Sequence, residues 1–243
     1  MKTQVIVGLH SVREALRAGR PIEQVTLQEG SGGRWSEILD LCRSAGVSVR
    51  HAPRQALDRL AGGAVHQGVV AVVGAHHYAD MEEILARLQH PGLLVVLDGV
   101  EDPHNLGAII RTAQAAGADA VVIPERRAAG LTPAAAKAAA GALEYLPVAR
   151  VTNIARTLDL LKENNYWVVG MDERAGQDFR AVDFRGSSAL VLGAEGQGLH
   201  HLVRQKCDFL ASIPTAGPLS TLNVSVAAGI VLFEARRQRK EGP

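Results

Sequence analysis

Cysteine is scarce. Cys42 and Cys207 are the only two in 243 residues, they form no CxxC pair, and no histidine stands at metal-ligand spacing from either. That removes a disulfide scaffold and a zinc site from the readings worth pursuing, and leaves reduced, structural thiols and no metal as the expectation. Net charge is almost absent as well, since 26 Lys and Arg against 25 Asp and Glu leave a formal +1. No whole-molecule field draws such a chain to a polyanion, so any contact with nucleic acid rests on local patches. A membrane-spanning run is missing too. Met1 to His10 has one lysine and an apolar run broken by Gly8, too short for a signal peptide and far short of the roughly 20 residues of a membrane span. A cytoplasmic location away from membranes is expected.

What the chain does have is 47% hydrophobic and 21% charged residues, the composition of a protein folded throughout. Its length suits two domains. Val5-Ile6-Val7 reads as a strand, and Ser11 to Ala18 as a helix with Ser11 and Glu14 at capping-box spacing. Gln24 to Gln28 is a second strand. Ser36 to Ala45 places Ile38, Leu41, Cys42 and Ala45 on one helical face, Val47 to Val49 is strand-like, and Val69 to Val73 is an apolar run suited to a buried strand. These elements make a small α/β domain over residues 1–75. Residues 76–91, with Asp80, Glu82, Glu83, Arg87, Gln89 and His90, read as a linker holding a short helix. From Leu93 the alternation restarts, with strands at Leu93 to Leu97, Ala120 to Ile123, Trp167 to Val169, Ala189 to Leu192 and Phe209 to Ile213. Helices are expected at Ala108 to Ala116, at the Ala-rich Ala134 to Ala142, and from Asn223 to Arg237. The pattern predicts a mostly parallel sheet covered on both faces over residues 92–243.

In such a sheet ligands bind outside the carboxyl ends of the strands, so the loops there carry the most information. The loop Asp98 to Gly107 holds Asn105, with Arg111 six residues on, expected on the second turn of the next helix. An amide and a guanidinium beside a helix N-terminus suit an RNA phosphate. Equally, Asn105 could cap the helix and Arg111 be a solvated surface residue. The second loop, Gly193-Ala194-Glu195-Gly196-Gln197-Gly198, has glycines that permit close backbone approach to a ligand, in a spacing that is not the dinucleotide fingerprint. Its Glu195 could face a cationic ligand or a reacting hydroxyl, or cap the following helix. The third loop, Ile213 to Leu222, enters the last helix at Asn223 and Ser225, where a helix cap is the plain alternative.

Together these segments resemble, in order and spacing, the three signature motifs of the SpoU/TrmH family of RNA ribose 2′-O-methyltransferases. The matching residues are Asn105-Leu106-Gly107-Ala108 with Arg111, Leu192-Gly193-Ala194-Glu195-Gly196 with Gly198, and Ile213-Pro214 through Leu222-Asn223-Val224-Ser225-Val226-Ala227. The resemblance covers about residues 93–240. It implies an α/β-knot (SPOUT) methyltransferase domain, S-adenosylmethionine bound in a bent conformation, and a homodimer. It also implies cofactor contacts at Gly193, Gly196, Ile213 and Leu222, and a catalytic set of Asn105, Arg111, Glu195 and Asn223. Within the family the residue matching Arg111 is a proposed proton acceptor. A guanidinium keeps its proton up to a pH of roughly 12 or more, so holding an RNA phosphate and stabilising the developing alkoxide is the role expected here. Where the family often has Ser-Leu-Asn this chain has Thr221-Leu222-Asn223, which leaves a hydroxyl role open between Thr221 and Ser220. Val226, Ile230, Val231 and Phe233 of the last helix are candidates for the dimer interface or for ordinary core.

The front end resembles a narrower group. Gly8-Leu9-His10-Ser11-Val12 and Val65-His66-Gln67-Gly68-Val69 are similar to the front domain of the bacterial 23S rRNA guanosine 2′-O-methyltransferases that act in the peptidyl-transferase P loop. That domain is L30e-like and contacts RNA, so 23S rRNA or a large-subunit assembly intermediate is the implied partner. Residues 1–75 hold nine Lys and Arg against six Asp and Glu, with Arg50, His51, Arg54 and Arg59 clustered. Phosphate contacts and a solvated helix face both account for that cluster. A tRNA-directed or adenosine-directed member of the family, and a catalytically silent RNA-binding module, are the competing readings.

Overall fold

The structure, a computed structural model, describes residues 3–30, 32–74, 76–88, 91–217 and 221–240. Gln89, His90 and Ser220, named above, lie outside them. In the front part β1 (Thr3–Val7), α1 (Leu9–Arg17), β2 (Ile22–Gln28), α2 (Ser36–Ala45), β3 (Ser48–Ala52), α3 (Arg54–Leu60) and β4 (Val69–Gly74) follow one another. The four strands form a sheet in the order β1-β4-β2-β3, with β4 antiparallel to both neighbours and β2 parallel to β3. The run at Val69 to Val73 is therefore a central strand. Flanked on both sides, it needs no polar alternation, and Val69, Val70, Ala71 and Val73 are buried.

One reading of this part changes. Helix α1 begins at Leu9, ahead of the capping box, and its N-cap Gly8 offers no side chain. The Leu9 N–H instead donates to Gln67 Oε1 at 3.1 Å, so a side chain 58 positions away does what Ser11 was expected to do. His66 is buried, with Nε2 2.9 Å from Asp58 Oδ1 and Nδ1 accepting the Gly68 N–H at 2.9 Å. The two front motifs thus lock onto each other as structure. The cluster at Arg50, His51, Arg54 and Arg59 is exposed, and none of the four side chains has a hydrogen-bond or ion-pair partner among the described residues.

The second part runs α4 (Met81–Arg87), β5 (Leu93–Asp98), α5 (Pro103–Ala116), β6 (Ala120–Pro124), α6 (Pro133–Ala139), β7 (Val148–Val151), α7 (Ile154–Glu163), β8 (Trp167–Met171), β9 (Gln177–Asp178), β10 (Ser188–Gly193), α8 (His201–Lys206), β11 (Phe209–Ser212) and α9 (Val224–Lys240). Seven strands pair in the order β7-β6-β5-β10-β8-β11-β9, all parallel. β5 shows why the sheet is covered twice. Leu93, Val95 and Leu97 pack with Ile109 and Ile110 of α5 and Val231 of α9, while Leu94 and Val96 pack with Ile84 of α4 and Leu158 of α7. Each such side chain contributes about 1.5–3 kcal/mol on burial. The stretch expected as a linker is docked on this sheet. The Asp80 carboxylate caps α4 by accepting from Glu82 and Glu83 N–H, and the Ala79 N–H donates to the Val148 carbonyl at 2.9 Å.

Helix α5 also starts earlier than the periodicity predicts, at Pro103 instead of Ala108, with Asp102 capping it through the His104 N–H at 2.9 Å. Asn105 therefore lies inside the helix, buried in its first turn, and Arg111 sits on the third turn. On α9, Val231 is core, whereas Val226, Ile230 and Phe233 are exposed.

The two parts meet at a buried ion pair. Arg20, in the turn after α1, donates to Glu144 Oε1 at 2.8 Å, and both side chains are 8% exposed. The same guanidinium reaches the Gly74 carbonyl and, at 2.8 Å, His76 Nε2. Beside it the Tyr145 hydroxyl donates to Glu14 Oε2 at 2.8 Å. Both thiols are free, and burial pushes Cys207 up to about 12. Among the described residues no cluster could hold a metal ion, and no helix is long and apolar enough to cross a membrane.

Candidate active site

Parallel strands bring their carboxyl ends to one rim, and there β5, β10 and β11 end in Asp98, Gly193 and Ser212. The first turn of α5, the glycine loop after β10 and the chain entering α9 converge on Asn223. Its Oδ1 accepts the N–H of Ser225 at 3.0 Å and of Val226 at 3.3 Å, and the Ser225 hydroxyl at 2.6 Å, which caps α9. Its Nδ2 donates to Asn105 Oδ1 at 3.0 Å and to Glu195 Oε1 at 2.6 Å. The cap fixes which way the amide faces, so the two N–H donors are aimed at the other two segments. Glu195 also accepts the Val224 N–H at 3.4 Å, which sets its carboxylate at the positive end of α9. The capping role and the site role of Asn223 are both realised, one at each end of the same amide.

Two clefts flank the loop 194–198. The first, about 150 Å³, is lined by Gly193, Gly196, Ile213 and Leu222, together with Thr221 and Asp172. All four residues expected at the cofactor are thus brought to one place. The second, about 390 Å³, is lined by Asn105, Arg127, Glu195 and His200. Ala194, Glu195, Gln197 and Val224 line both.

The loop between them is drawn very tight. Ala194 and Gly198 exchange backbone hydrogen bonds at 3.1 and 2.9 Å, and a Cβ built on Gly193 would strike the Gly198 carbonyl and the Leu199 nitrogen. At the tip Gly196 takes φ +77, a conformation that costs glycine nothing.

Of the expected catalytic set, Asn105, Glu195 and Asn223 are in contact and Arg111 is apart. Arg111 is exposed, lines neither cleft, and has no hydrogen-bond or ion-pair partner among the described residues. Three residues that sequence reasoning passed over do face the clefts. Arg127 lines the second cleft with φ +54, a left-handed backbone unusual for a side chain of its kind. His200 lines it too, held by Asp98 at the end of β5. Asp172 stands in the first cleft. Burial alone would raise its carboxyl, but the Arg204 Nε bond at 2.6 Å and the Arg174 N–H bond at 2.9 Å outweigh that and hold it below its ordinary value of 3.8. A basic pair after a buried strand, Arg126-Arg127, and a histidine just beyond a glycine loop were signals present in the sequence.

The family model described as "SpoU rRNA Methylase family" matches residues 92–233, and the one described as "RNA 2'-O ribose methyltransferase substrate binding" matches residues 5–79. YacO of Bacillus subtilis (strain 168), assigned by name to the TrmH family of tRNA/rRNA methyltransferases, is 44% identical over 238 residues, 96% of this chain and 95% of that protein. A protein of Staphylococcus aureus (strain COL) named for the same family is 46% identical, covering 99% of this chain and 98% of its own length. The crystal structure of the SpoU methyltransferase AviRb from Streptomyces viridochromogenes in complex with AdoMet superposes with a TM-score of 0.83 at 28% identity, over 99% of this chain and 92% of that one. With the motifs meeting on one asparagine and relatives matched along nearly the whole length, resemblance becomes membership: the chain belongs to the SpoU rRNA methylase family.

Proposed function

We propose that this chain transfers the methyl group of S-adenosylmethionine to the 2′-hydroxyl of a guanosine ribose in 23S rRNA, in the peptidyl-transferase P loop. The observation that carries the chemistry is the junction at Asn223, where three segments from distant parts of the sequence close around one amide between two clefts. The first cleft suits the methyl donor. Leu192, Ile213 and Leu222 offer apolar walls for a flat base, Gly193, Gly196 and Gly198 let the backbone approach it closely, and Glu195 brings a carboxylate towards a sulfonium. The donor supplies an electrophilic methyl group. The chain's own residues hold the ribose oxygen in line with it, and such orientation can lower a barrier by roughly 7–11 kcal/mol. In this reading Asn105, Glu195 and Asn223 fix the second cleft, where the ribose enters. Arg111, exposed and unpaired, holds an RNA phosphate.

Residues 1–75 serve as the L30e-like RNA-binding domain, residues 76–91 as a docked connection, and residues 92–243 as the catalytic domain. The match of residues 5–79 to a substrate-binding model and the exposed, unpaired Arg50, His51, Arg54 and Arg59 support an extended RNA substrate. In this reading the chain works as a homodimer, supported by α9, whose Val226, Ile230 and Phe233 form an exposed i, i+4, i+7 stripe suited to a second copy. Sedimentation at the mass of one chain at micromolar concentration would remove that part of the proposal.

The decisive assay incubates the protein with methyl-labelled S-adenosylmethionine and unmodified 23S rRNA, with tRNA in parallel, and maps 2′-O-methyl groups by primer extension. One labelled guanosine in the P loop is the expected result. Label in tRNA alone overturns the substrate and keeps the chemistry. No label with either RNA, or with a large-subunit assembly intermediate, favours a silent RNA-binding module.

A further inference from the structure

We infer that His200, braced by Asp98, is the catalytic base that accepts the proton of the ribose 2′-hydroxyl, an inference that rests on the methyl-transfer reading above. Strands β5 and β10 are parallel neighbours, with Asp98 in register with Gly193, so the carboxylate of Asp98 lies beside the root of the glycine loop. Asp98 is 5% exposed, and one carboxylate holds a single residue twice. Oδ2 accepts the His200 N–H at 2.7 Å, and Oδ1 lies 3.0 Å from His200 Nδ1. A carboxylate at Nδ1 favours the tautomer with its proton there, which leaves the Nε2 lone pair free. Nε2 has no partner among the described residues, and the ring, 46% exposed, borders the second cleft with Asn105 and Glu195.

The other groups bordering that cleft are poorer bases. Glu195 is committed to Asn223 and the Val224 N–H, Asp102 to the His104 N–H, and Arg127 carries a positive charge. Glu101 is a carboxylate, ordinarily about two pH units less basic than an imidazole. Arg111 lies outside the cleft.

The step balances without a further reactant. As the ribose oxygen bonds to the methyl carbon, the sulfur–carbon bond breaks and its electron pair stays on sulfur, turning the sulfonium into a neutral thioether. The hydroxyl proton moves to Nε2. The imidazolium so formed rests against the Asp98 carboxylate until water takes the proton. Asp98 from β5 lies against the ring, and the charged groups bordering the same cleft are Glu101 and Asp102 from the loop after β5, Arg127 from the loop after β6, and Glu195 from the loop after β10; Arg204, one turn on in α8, is turned to Asp172.

The test compares wild type, His200→Asn and His200→Ala. Asparagine keeps a donor where Nδ1 stands but has no basic nitrogen, so it separates bracing from proton transfer. Single-turnover methylation is followed across pH, and S-adenosylmethionine binding is measured by calorimetry. General-base catalysis is worth roughly 10²- to 10⁴-fold, and a loss of that size is expected in His200→Asn, with donor affinity within about twofold of wild type. The wild-type rate should also rise along an acid limb of the pH profile, and the variant should lack that limb. His200→Asn working within about threefold of wild type overturns the inference, as does a variant with the same acid limb. So does a variant that loses donor binding together with rate, which would make His200 a brace for the loop. Wild-type protein that binds the donor yet methylates no RNA sinks the functional reading as a whole.

Discussion

Replacing Gly193 by alanine is expected to weaken S-adenosylmethionine binding by about tenfold or more while leaving the rest of the sheet folded. The added methyl would occupy the space of the Gly198 carbonyl and the Leu199 nitrogen, which are backbone atoms with no rotamer to escape into. Relief comes only from opening the loop. That breaks the paired Ala194–Gly198 hydrogen bonds and moves Gly196 away from Ile213 and Leu222 across the cleft. Overpacking of this kind costs about 1–3 kcal/mol, and each 1.4 kcal/mol is a factor of ten in affinity. Calorimetric titration of the variant checks it, with urea unfolding as the control for a global defect. An affinity equal to wild type would mean that the donor does not read this loop.

Arg20→Ala should destabilise the protein by about 3–5 kcal/mol, the usual result of leaving one member of a buried ion pair unpaired. Glu144 would remain 8% exposed with no cation beside it. Even with Arg20 in place, burial outweighs the guanidinium and raises the Glu144 carboxyl above its ordinary value. Trp35, buried in the core of the front part, reports its unfolding by fluorescence. Pairing Arg20→Met with Glu144→Leu should recover much of the loss, because apolar pairs of similar volume replace such bridges well. A single-variant change below about 1 kcal/mol would show the interface to be wet.

The same junction carries a pH response. Burial first, then the charges of Arg20 and His77, lower His76 from 6.5 to about 4. Its Nε2 accepts from Arg20, so the native form is neutral. The unfolded chain therefore binds the proton more readily, and the His76 contribution is complete above pH 6.5 and lost as pH falls towards 4. Glu144 works in the opposite sense, since its raised carboxyl eases the burial cost as it takes a proton. The His76 share is read as the difference between wild type and His76→Gln, which keeps an acceptor but cannot titrate. Equal slopes for the two over that window would remove His76 from the response.

Much of the fold is legible locally. Helix α2 runs over Ser36 to Ala45 as its apolar spacing predicts, and the unbroken apolar run at 69–73 reads as a buried strand. What failed was capping chemistry. Asp102-Pro103 is a cap followed by proline at the first helical position, a start signal that lies ahead of the alanine periodicity. The cap of α1 was not legible at all, because Gln67 reaches Leu9 only once the sheet has formed. Strand order was hidden for the same reason. Nothing near residue 190 says that β10 inserts between β5 and β8, since register between distant strands is a property of the packed sheet. At the site, motif resemblance located the four residues of the first cleft and the junction at Asn223. The pairing of Asp98 with His200 spans 102 positions and leaves no local pattern.

The loop from Ala194 to Gly198 is a party wall, with one backbone serving as the side of two rooms. Binding on its two sides is therefore thermodynamically linked. Whatever factor an occupant of one room imposes on the affinity of the other, the second occupant returns unchanged to the first. RNA and methyl donor would then meet as each other's effectors, and the order in which they arrive would alter the route to the ternary complex without altering its free energy.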